Sequence, residues 1–356
     1  MDKKTDRHEK ALKIIQKGTV IPAIPLVLDA NRKFDGAGQR LLTRYYLEAG
    51  AGGIAIAVHT TQFEIREPRY NLFETVVKAV SDEIGKFEAE TGKTIVKVCG
   101  LCGETAQAVR EAEFARSLGF DAGLLSPGGL QRLNEEQLLA RTAAAAKILP
   151  VIGFYLQPAA GGRLLSYAYW RELCRIENVV AIKCASFNRY TTIDAVRAAA
   201  TSPRADEIAL YTGNDDNIVI DLLTEYVFNE NGKTYRKRFV GGLLGHWSVW
   251  TRAAVALFEK IKAAKEPTAE LLTLAAQVTD MNAAAFDAAN GFKGCISGIH
   301  EILRRQGLLK GIWCLNPDEK LSAGQAEELT RICAAYPHLT DDAFVKEFLC
   351  GYGKKA

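Results

Sequence analysis

The amino-acid sequence predicts an α/β protein, a (β/α)8 TIM barrel with a C-terminal helical extension. Eight short apolar runs of strand type alternate with segments of helical period, and each strand run is nearly continuous in apolar residues. Strands that are apolar on both faces are typical of a parallel sheet covered by helices. Eight strand–helix units are the number that closes such a sheet into a barrel.

Each of the eight predicted strands precedes a predicted helix. The strands are expected at 20–28, 53–58, 94–99, 121–126, 150–156, 179–185, 207–212 and 238–244. The helices are expected at 37–49, 74–92, 104–119, 134–148, 166–176, 190–201, 217–227 and 247–264. Asn231-Gly232 separates two β-prone arms before the last strand, which predicts a hairpin inserted on the N-terminal face of the barrel.

The remainder of the chain is helical in pattern. After Pro267, helical segments are expected at 268–288, 295–309, 322–336 and 341–350. The chain is therefore expected to divide into a catalytic barrel, residues 1–265, and an accessory helical region packed on it, residues 266–356. An open doubly wound sheet is disfavoured, because the turn after the first strand, DANRKFDGAG, lacks the GxGxxG of a dinucleotide site.

Composition limits the class of protein. Of 356 residues 48% are hydrophobic, enough for a large core, and the net charge of +3 is dispersed, which indicates no nucleic-acid partner. The charged N-terminus and the absence of an apolar run of about 18 residues predict neither a signal peptide nor a membrane span. Eight cysteines in so long a chain indicate reduced thiols and a cytoplasmic protein. Cys99 and Cys102 form a CxxC without a second pair or a nearby histidine, so no metal is expected.

Lys183 is the strongest candidate for chemistry. Catalytic groups of a (β/α)8 barrel lie at the carboxyl ends of the strands. Lys183 interrupts the apolar strand VVAIKCA, where desolvation would lower its pKa. A neutral amine there is the nucleophile that Schiff-base formation with a carbonyl substrate requires. The alternative is a lysine that extends past the strand end or pairs with a carboxylate; Lys97, in TIVKVC, is the comparable and less favoured lysine.

Two further sets of residues add to this prediction. Tyr155 ends the preceding strand, 28 residues before Lys183, and is expected to reach the substrate adduct and transfer protons. The alternative is a core aromatic residue whose hydroxyl is satisfied at the barrel rim. Thr60 and Thr61 follow the second strand and supply hydroxyls and N–H groups for a substrate carboxylate.

Together these motifs resemble the dihydrodipicolinate synthase / N-acetylneuraminate lyase family over roughly residues 20–265. GAGGIAIAVHTTQFE resembles the strand that ends in the family's G-T-T-G-E, with Thr60 and Thr61 at the threonine positions. FYLQPAAGG resembles Y-N-x-P-x-x-x-G, with Tyr155 as the catalytic tyrosine, and VVAIKCAS resembles the lysine strand I-K-x-[AST]-[ST]. LYTGNDDN and FVGGLLG resemble the G-x-D seventh strand and the glycine-containing eighth strand.

The resemblance implies a mechanism without metal or organic cofactor. A pyruvate-like 2-oxo acid, or a sugar acid cleaved to it, would condense with Lys183, its carboxylate would lie on Thr60 and Thr61, and Tyr155 would move protons. The iminium itself is the electron sink. The remaining substrate contacts are expected from His59, Gln157, Ser186, Gly213 and Gly242. A homodimer or homotetramer is also implied.

Several departures from the family pattern narrow the expected activity. His59 and Gln62 replace the glycines of G-T-T-G-E, and Gly128-Gly129 replaces the tyrosine pair of the fourth strand. Ala160 falls on the arginine of the synthases, with Arg163 displaced by three positions. We therefore expect a Schiff-base lyase or aldolase that is not a true dihydrodipicolinate synthase. A dehydratase or hydratase-aldolase acting on a larger sugar or aromatic 2-oxo acid, and a non-catalytic barrel that binds oxo or sugar acids, remain alternatives.

Overall fold

A computed structural model describes residues 3–352 of the chain, with side chains from residue 6 onward. The strands are β1 (Val20–Pro22), β2 (Gly53–Ile56), β3 (Val96–Leu101), β4 (Ala122–Leu125), β5 (Val151–Leu156), β6 (Val179–Ala185), β7 (Ala209–Thr212), β8 (Glu225–Glu230) and β9 (Lys233–Leu244). The helices are α1 (Lys3–Lys17), α2 (Gly36–Glu48), α3 (Phe73–Thr91), α4 (Thr105–Ser117), α5 (Glu135–Ala146), α6 (Tyr167–Leu173), α7 (Arg189–Ala200), α8 (Ile218–Leu223), α9 (Thr251–Ala263), α10 (Ala269–Ala285), α11 (Cys295–Arg305), α12 (Gln325–Ala335) and α13 (Asp342–Tyr352).

The chain forms two compact units. Unit 1 combines Met1–Thr19 with Val96–Leu243, and unit 2 combines Val20–Ile95 with Leu244–Ala356. The helices beyond residue 265 thus group with β1, β2, α2, α3 and α9, and they do not form a unit by themselves. The expected division into a catalytic barrel (residues 1–265) and an accessory helical region (residues 266–356) stays a prediction. Within the described residues, the helices after residue 265 do not form a compact unit of their own.

Unit 1 contains six parallel strands in the order β9-β7-β6-β5-β4-β3. Every residue of β3, β4, β5 and β7 is buried, which agrees with the continuous apolar runs of the sequence. Helix α1 packs against the sheet, where the hydroxyl of Tyr211 donates to the carbonyl of Ile15 at 2.9 Å. Arg7 of the same helix pairs at 2.6 Å with the fully buried carboxylate of Asp121.

The predicted hairpin is confirmed. Strand β8 pairs antiparallel with the first half of β9, and parallel pairing of β9 with β7 begins only at Phe239, so the hairpin extends from the amino end of that strand. Asn231 (φ 52°) and Gly232 (φ 74°) form its two-residue turn in the left-handed region. The predicted helix over 217–227 is wrong at its end, because EYVFNE alternates exposed and half-buried residues with a period of two and forms β8.

Unit 2 contains β1, β2 and the helices α2, α3 and α9 to α13. Ala23, directly after β1, forms a parallel β-bridge with Ala55 of β2. A buried carboxylate ties its C-terminal helices to α2. Asp341, just before α13, accepts hydrogen bonds from the Tyr45 hydroxyl (2.7 Å), the Arg252 amide (3.0 Å) and the Gln306 side chain (2.8 Å). Every helix within residues 3–352 is too short or too polar to cross a lipid bilayer.

Candidate active site

Lys183 lies in the middle of β6, and its side chain is buried. Only 7% of the residue is exposed, and its partner across the β5–β6 pairing is Phe154. Burial lowers the pKa of Lys183 from 10.5 to about 8, and the nearby negative charge of Asp215 opposes this shift with a smaller effect. A lowered pKa increases the fraction of the neutral amine near neutral pH. Lys183 therefore has the protonation behaviour of a nucleophilic lysine.

Gly213 makes room for the lysine side chain. A Cβ atom at this position would lie 2.5 Å from Cε of Lys183 and 2.9 Å from Cβ of Ala185. Both separations are below the contact distance of carbon atoms, so even an alanine would force the lysine to move. The amide of Gly213 donates to the carbonyl of Cys184 at 2.6 Å, which fixes the loop beside β6.

A buried carboxylate behind β7 orients the loops that surround the lysine. Asp221 accepts hydrogen bonds from the hydroxyl of Thr212 (2.7 Å) and the side-chain nitrogen Nδ2 of Asn214 (2.9 Å). The side-chain oxygen of Asn214 in turn accepts from the amide of Phe187 at 3.0 Å. The loops that follow β6 and β7 are therefore joined, and Asp215 directly follows the restrained Asn214.

Tyr155 faces away from Lys183. Its hydroxyl lies 3.3 Å from the carbonyl oxygen and from the amide nitrogen of Leu165, and its ring lies 4.9 Å from that of Trp170 in α6. Its strand partner is Cys184, one residue beyond Lys183. Because successive residues of a strand point to opposite faces, the phenol and the lysine lie on opposite faces of the β5–β6 pair. The proton-transfer role of Tyr155 stays a prediction, and this placement does not favour it.

The other predicted residues of unit 1 have mainly local contacts. The hydroxyl of Ser186 lies 2.9 Å from that of Thr192 and donates to the carbonyl of Asn188 at 3.1 Å, so it supports the start of α7. Gln157 is half-buried in the loop after β5, and the Gly242 amide donates to the carbonyl of Thr19 at 3.3 Å.

Arg163 holds a loop instead of projecting as a free cation. Its guanidinium donates to the carbonyls of Leu130 (3.3 Å) and Leu133 (2.5 Å), in the segment after β4. Arg163 is the arginine nearest in sequence to Ala160, the position where the synthases carry their substrate arginine. Its guanidinium is already engaged in these hydrogen bonds.

His59, Thr60 and Thr61 lie in unit 2, in a short 3-10 turn after β2. The hydroxyls of Thr60 and Thr61 donate to the carbonyls of Ala23 (2.6 Å) and Ile24 (2.8 Å). The half-buried His59 ring packs edge-on against Phe63, with 5.9 Å between centroids.

Gln62 stands at one of the two positions where the resembling motif has glycine. Its φ of 68° lies in the left-handed region, which explains a glycine preference at this position. Its side-chain oxygen accepts a hydrogen bond from the amide of Leu315 at 2.6 Å, so the C-terminal region holds this turn in place.

The structure thus brings Lys183 and Gly213 together, and it adds two groups that the sequence did not single out as functional, Phe154 and Asp215. Asp215 carried a signal, since it belongs to the stretch that resembles the G-x-D strand. Phe154 carried none, because two adjacent aromatic residues in a strand buried on both faces do not reveal which one faces the lysine. Among residues 3–352, no group of three or more His, Cys, Asp or Glu side chains is placed to hold a metal ion.

These features define a barrel protein with a buried, partly neutral lysine in its sixth parallel strand. The dihydrodipicolinate synthetase family model matches residues 16–336, and the chain belongs to this family. The 4-hydroxy-tetrahydrodipicolinate synthase of Moorella thermoacetica is 29% identical over 213 residues, which cover 59% of this chain and 67% of that relative.

Solved structures of the same family share the fold. The 4-hydroxy-tetrahydrodipicolinate synthase of Methylacidiphilum fumariolicum SolV has a TM-score of 0.72 and 19% identity, covering 93% of this chain and 99% of that one. The chloride-inhibited dihydrodipicolinate synthase of Acinetobacter baumannii, complexed with pyruvate, has a TM-score of 0.71 and 20% identity, covering 89% of this chain and 98% of that one. The predicted (β/α)8 barrel with C-terminal helices is therefore confirmed.

Proposed function

We propose that this protein is a Schiff-base-forming lyase or aldolase that acts on pyruvate or a related 2-oxo acid. The observation that carries the proposal is the buried Lys183 of β6, whose pKa burial lowers to about 8. Membership of the dihydrodipicolinate synthetase family supports a small-molecule carbonyl substrate. The pyruvate bound to the Acinetobacter baumannii synthase supports the 2-oxo acid class.

The chemistry begins with the neutral amine of Lys183. Its lone pair attacks the carbonyl carbon of the 2-oxo acid, the nitrogen releases one proton and the carbonyl oxygen takes up one, which gives a neutral carbinolamine. A further proton taken from solvent lets the hydroxyl leave as water, and the nitrogen lone pair forms the C=N bond of the positively charged iminium. This iminium accepts the electron pair of a neighbouring C–C or C–H bond when that bond breaks, and the reverse sequence forms the bond.

The specific synthase reaction is not the one we propose. Ala160 and Gly128-Gly129 stand where the synthases carry the substrate arginine and the tyrosine pair, and the guanidinium of Arg163 is bound to backbone carbonyls. A dehydratase or hydratase-aldolase on a larger 2-oxo acid would use the same lysine. A cytoplasmic homodimer or homotetramer, and substrate contacts by His59, Thr60, Thr61, Gln157, Ser186, Gly213 and Gly242, stay part of the proposal.

Trapping the imine tests the proposed function. The purified protein is incubated with pyruvate and borohydride, and the product is analysed by intact mass and peptide mapping. We expect one stable adduct, located on Lys183. If neither pyruvate nor a panel of 2-oxo acids leaves an adduct, the Schiff-base function is refuted. An adduct without turnover of any 2-oxo or sugar acid would favour the alternative of a non-catalytic barrel that only binds such acids.

The rate of adduct formation is expected to rise with pH and to level off above about 8. The pKa of Lys183 is lowered to about 8, and only the deprotonated amine attacks the carbonyl, so protonation at lower pH slows the reaction. Below this value the rate should fall about tenfold per pH unit. Timed borohydride quenches across the pH range measure it. A rate that still climbs steeply between about pH 9 and 10 would indicate an ordinary, solvated lysine.

Tyr155→Phe is expected to leave adduct formation and turnover within a few-fold of the wild type. The hydroxyl contacts Leu165 and lies on the face opposite Lys183, so its loss should lower the free energy of unfolding by about 1 kcal/mol. Denaturant unfolding and steady-state assays of the same preparation measure the two effects. Retained adduct with most turnover lost would instead support the family role of a catalytic tyrosine.

A further inference from the structure

The ring of Phe154 lies against the reactive nitrogen. Nζ of Lys183 is 4.4 Å from the centroid of this ring, and the two residues are direct partners in the β5–β6 pairing. Phe154 is itself buried, with 5% of its surface exposed. A cation within about 6 Å of an aromatic face is attracted by the negative charge of the π-system, and most strongly where water is excluded.

We propose that Phe154 is a positioning residue for Lys183, whose ring face holds Nζ in place and stabilises the positive charge that this nitrogen carries as ammonium and again as iminium. Only the part of the proposal that concerns the iminium rests on the proposed Schiff-base function. The ammonium exists without substrate, whereas the iminium exists only after condensation.

Other groups around Nζ do not replace the ring. Asp215 supplies a full negative charge, which acts on Lys183 only while the carboxylate is ionised. Tyr211, the partner of Lys183 across the β6–β7 pairing, uses its hydroxyl to donate to Ile15. Phe154 has no proton to lose, so its attraction for the cation persists over the whole pH range in which the enzyme is folded.

A contact of this kind differs from packing in one measurable way. Packing depends on the shape of the side chain, whereas attraction for a cation depends on the charge distribution of the ring. A fluorinated ring keeps nearly the same shape and withdraws electron density from the face. The charge of Lys183 should respond to fluorination if the ring acts electrostatically, and should ignore it if the ring only fills space.

The test combines a titration with trapping of the adduct. Phe154 is replaced by pentafluorophenylalanine, and the pKa of Lys183 is followed by NMR of protein labelled with 13C at lysine Cε, the signal being assigned with Lys183→Met. We expect the pKa to fall by roughly half a unit to one unit. At about pH 9, where the free amine is neutral, the trapped fraction of pyruvate adduct should fall about 2- to 30-fold at subsaturating pyruvate.

Two further variants complete the experiment: one removes the ring with a genetically encoded residue, and the other is a control. Phe154→Leu should lower the pKa of Lys183, as the fluorinated ring does. Phe258→Leu removes another buried phenylalanine, whose ring lies 5.2 Å from the exposed Lys262, and should leave Lys183 unchanged. An unchanged or raised pKa of Lys183 in the fluorinated protein overturns the proposal. Because the titration needs no substrate, a wild type that forms no adduct would refute the Schiff-base function while the titration still decides the role of Phe154.

Discussion

Lys183→Met is expected to abolish the reducible pyruvate adduct and to lower turnover of a 2-oxo acid by roughly 10³-fold or more. Methionine has nearly the length of lysine and suits the apolar surroundings of β6, but it offers no nucleophilic nitrogen. The variant should fold, because 93% of the lysine surface is already withdrawn from water and its stem packs beside Gly213. Intact mass after borohydride treatment and a progress curve with substrate measure both effects.

Lys97→Met is the matched control for this variant. Lys97 also interrupts an apolar strand, β3, and is equally buried at 6% exposure. Two strands, β5 and β4, lie between β6 and β3 in the sheet of unit 1, so we expect the adduct to form as in the wild type. Should Lys97→Met lose the adduct while Lys183→Met keeps it, the reactive amine belongs to β3 and the proposed site is misplaced.

The fold was predictable because its signals are local. Runs such as AGLL and VIGFYL are apolar at every position, and the structure buries every residue in them. The Asn-Gly turn needs two residues in the left-handed region, a requirement that few other dipeptides meet. The first strand is shorter than its apolar run of 20–28, because Pro22 and Pro25 lack the N–H groups that a longer sheet strand would use.

The position of Tyr155 was not predictable because it depends on strand register. At the start of the β5–β6 pairing Val151 lies opposite Val179, an offset of 28 residues, which is also the offset between Tyr155 and Lys183. An irregularity between Val151 and Ile152 raises the offset to 29, so Lys183 lies opposite Phe154. One residue of shift exchanges the two faces of a strand. Strand β5 is buried on both faces and apolar at every position, so the sequence pattern does not indicate such a shift.

The grouping of the C-terminal helices was also beyond the reach of sequence patterns. Their amphipathic faces indicate that they pack on something, but they do not identify the partner. The contacts that decide it are specific and distant in sequence, such as Asp341 with Tyr45 and Leu315 with Gln62. A glutamine with positive φ is informative only once its hydrogen-bond partner is known.

Gly213→Ala is expected to slow adduct formation about 100-fold while lowering the free energy of unfolding by about 1–3 kcal/mol. The added Cβ would lie 2.5 Å from Cε of Lys183 and 2.9 Å from Cβ of Ala185, and the second atom is fixed to the backbone of β6. The lysine stem must therefore move, which displaces Nζ from the face of Phe154. Timed quenches and denaturant unfolding measure the rate and the stability.

Gly85→Ala separates this steric effect from the general effect of the substitution. Gly85 lies inside α3, and beyond the adjacent residues and the helix's own backbone a Cβ there would meet no atom within 4 Å, so alanine should stabilise the protein by about 0.5–1 kcal/mol and leave the adduct rate unchanged. Opposite signs of stability change, with a rate defect confined to Gly213→Ala, would establish that the glycine is kept for the space it leaves to the lysine. A wild-type rate in Gly213→Ala would mean that Lys183 reacts from a position other than the one beside Phe154.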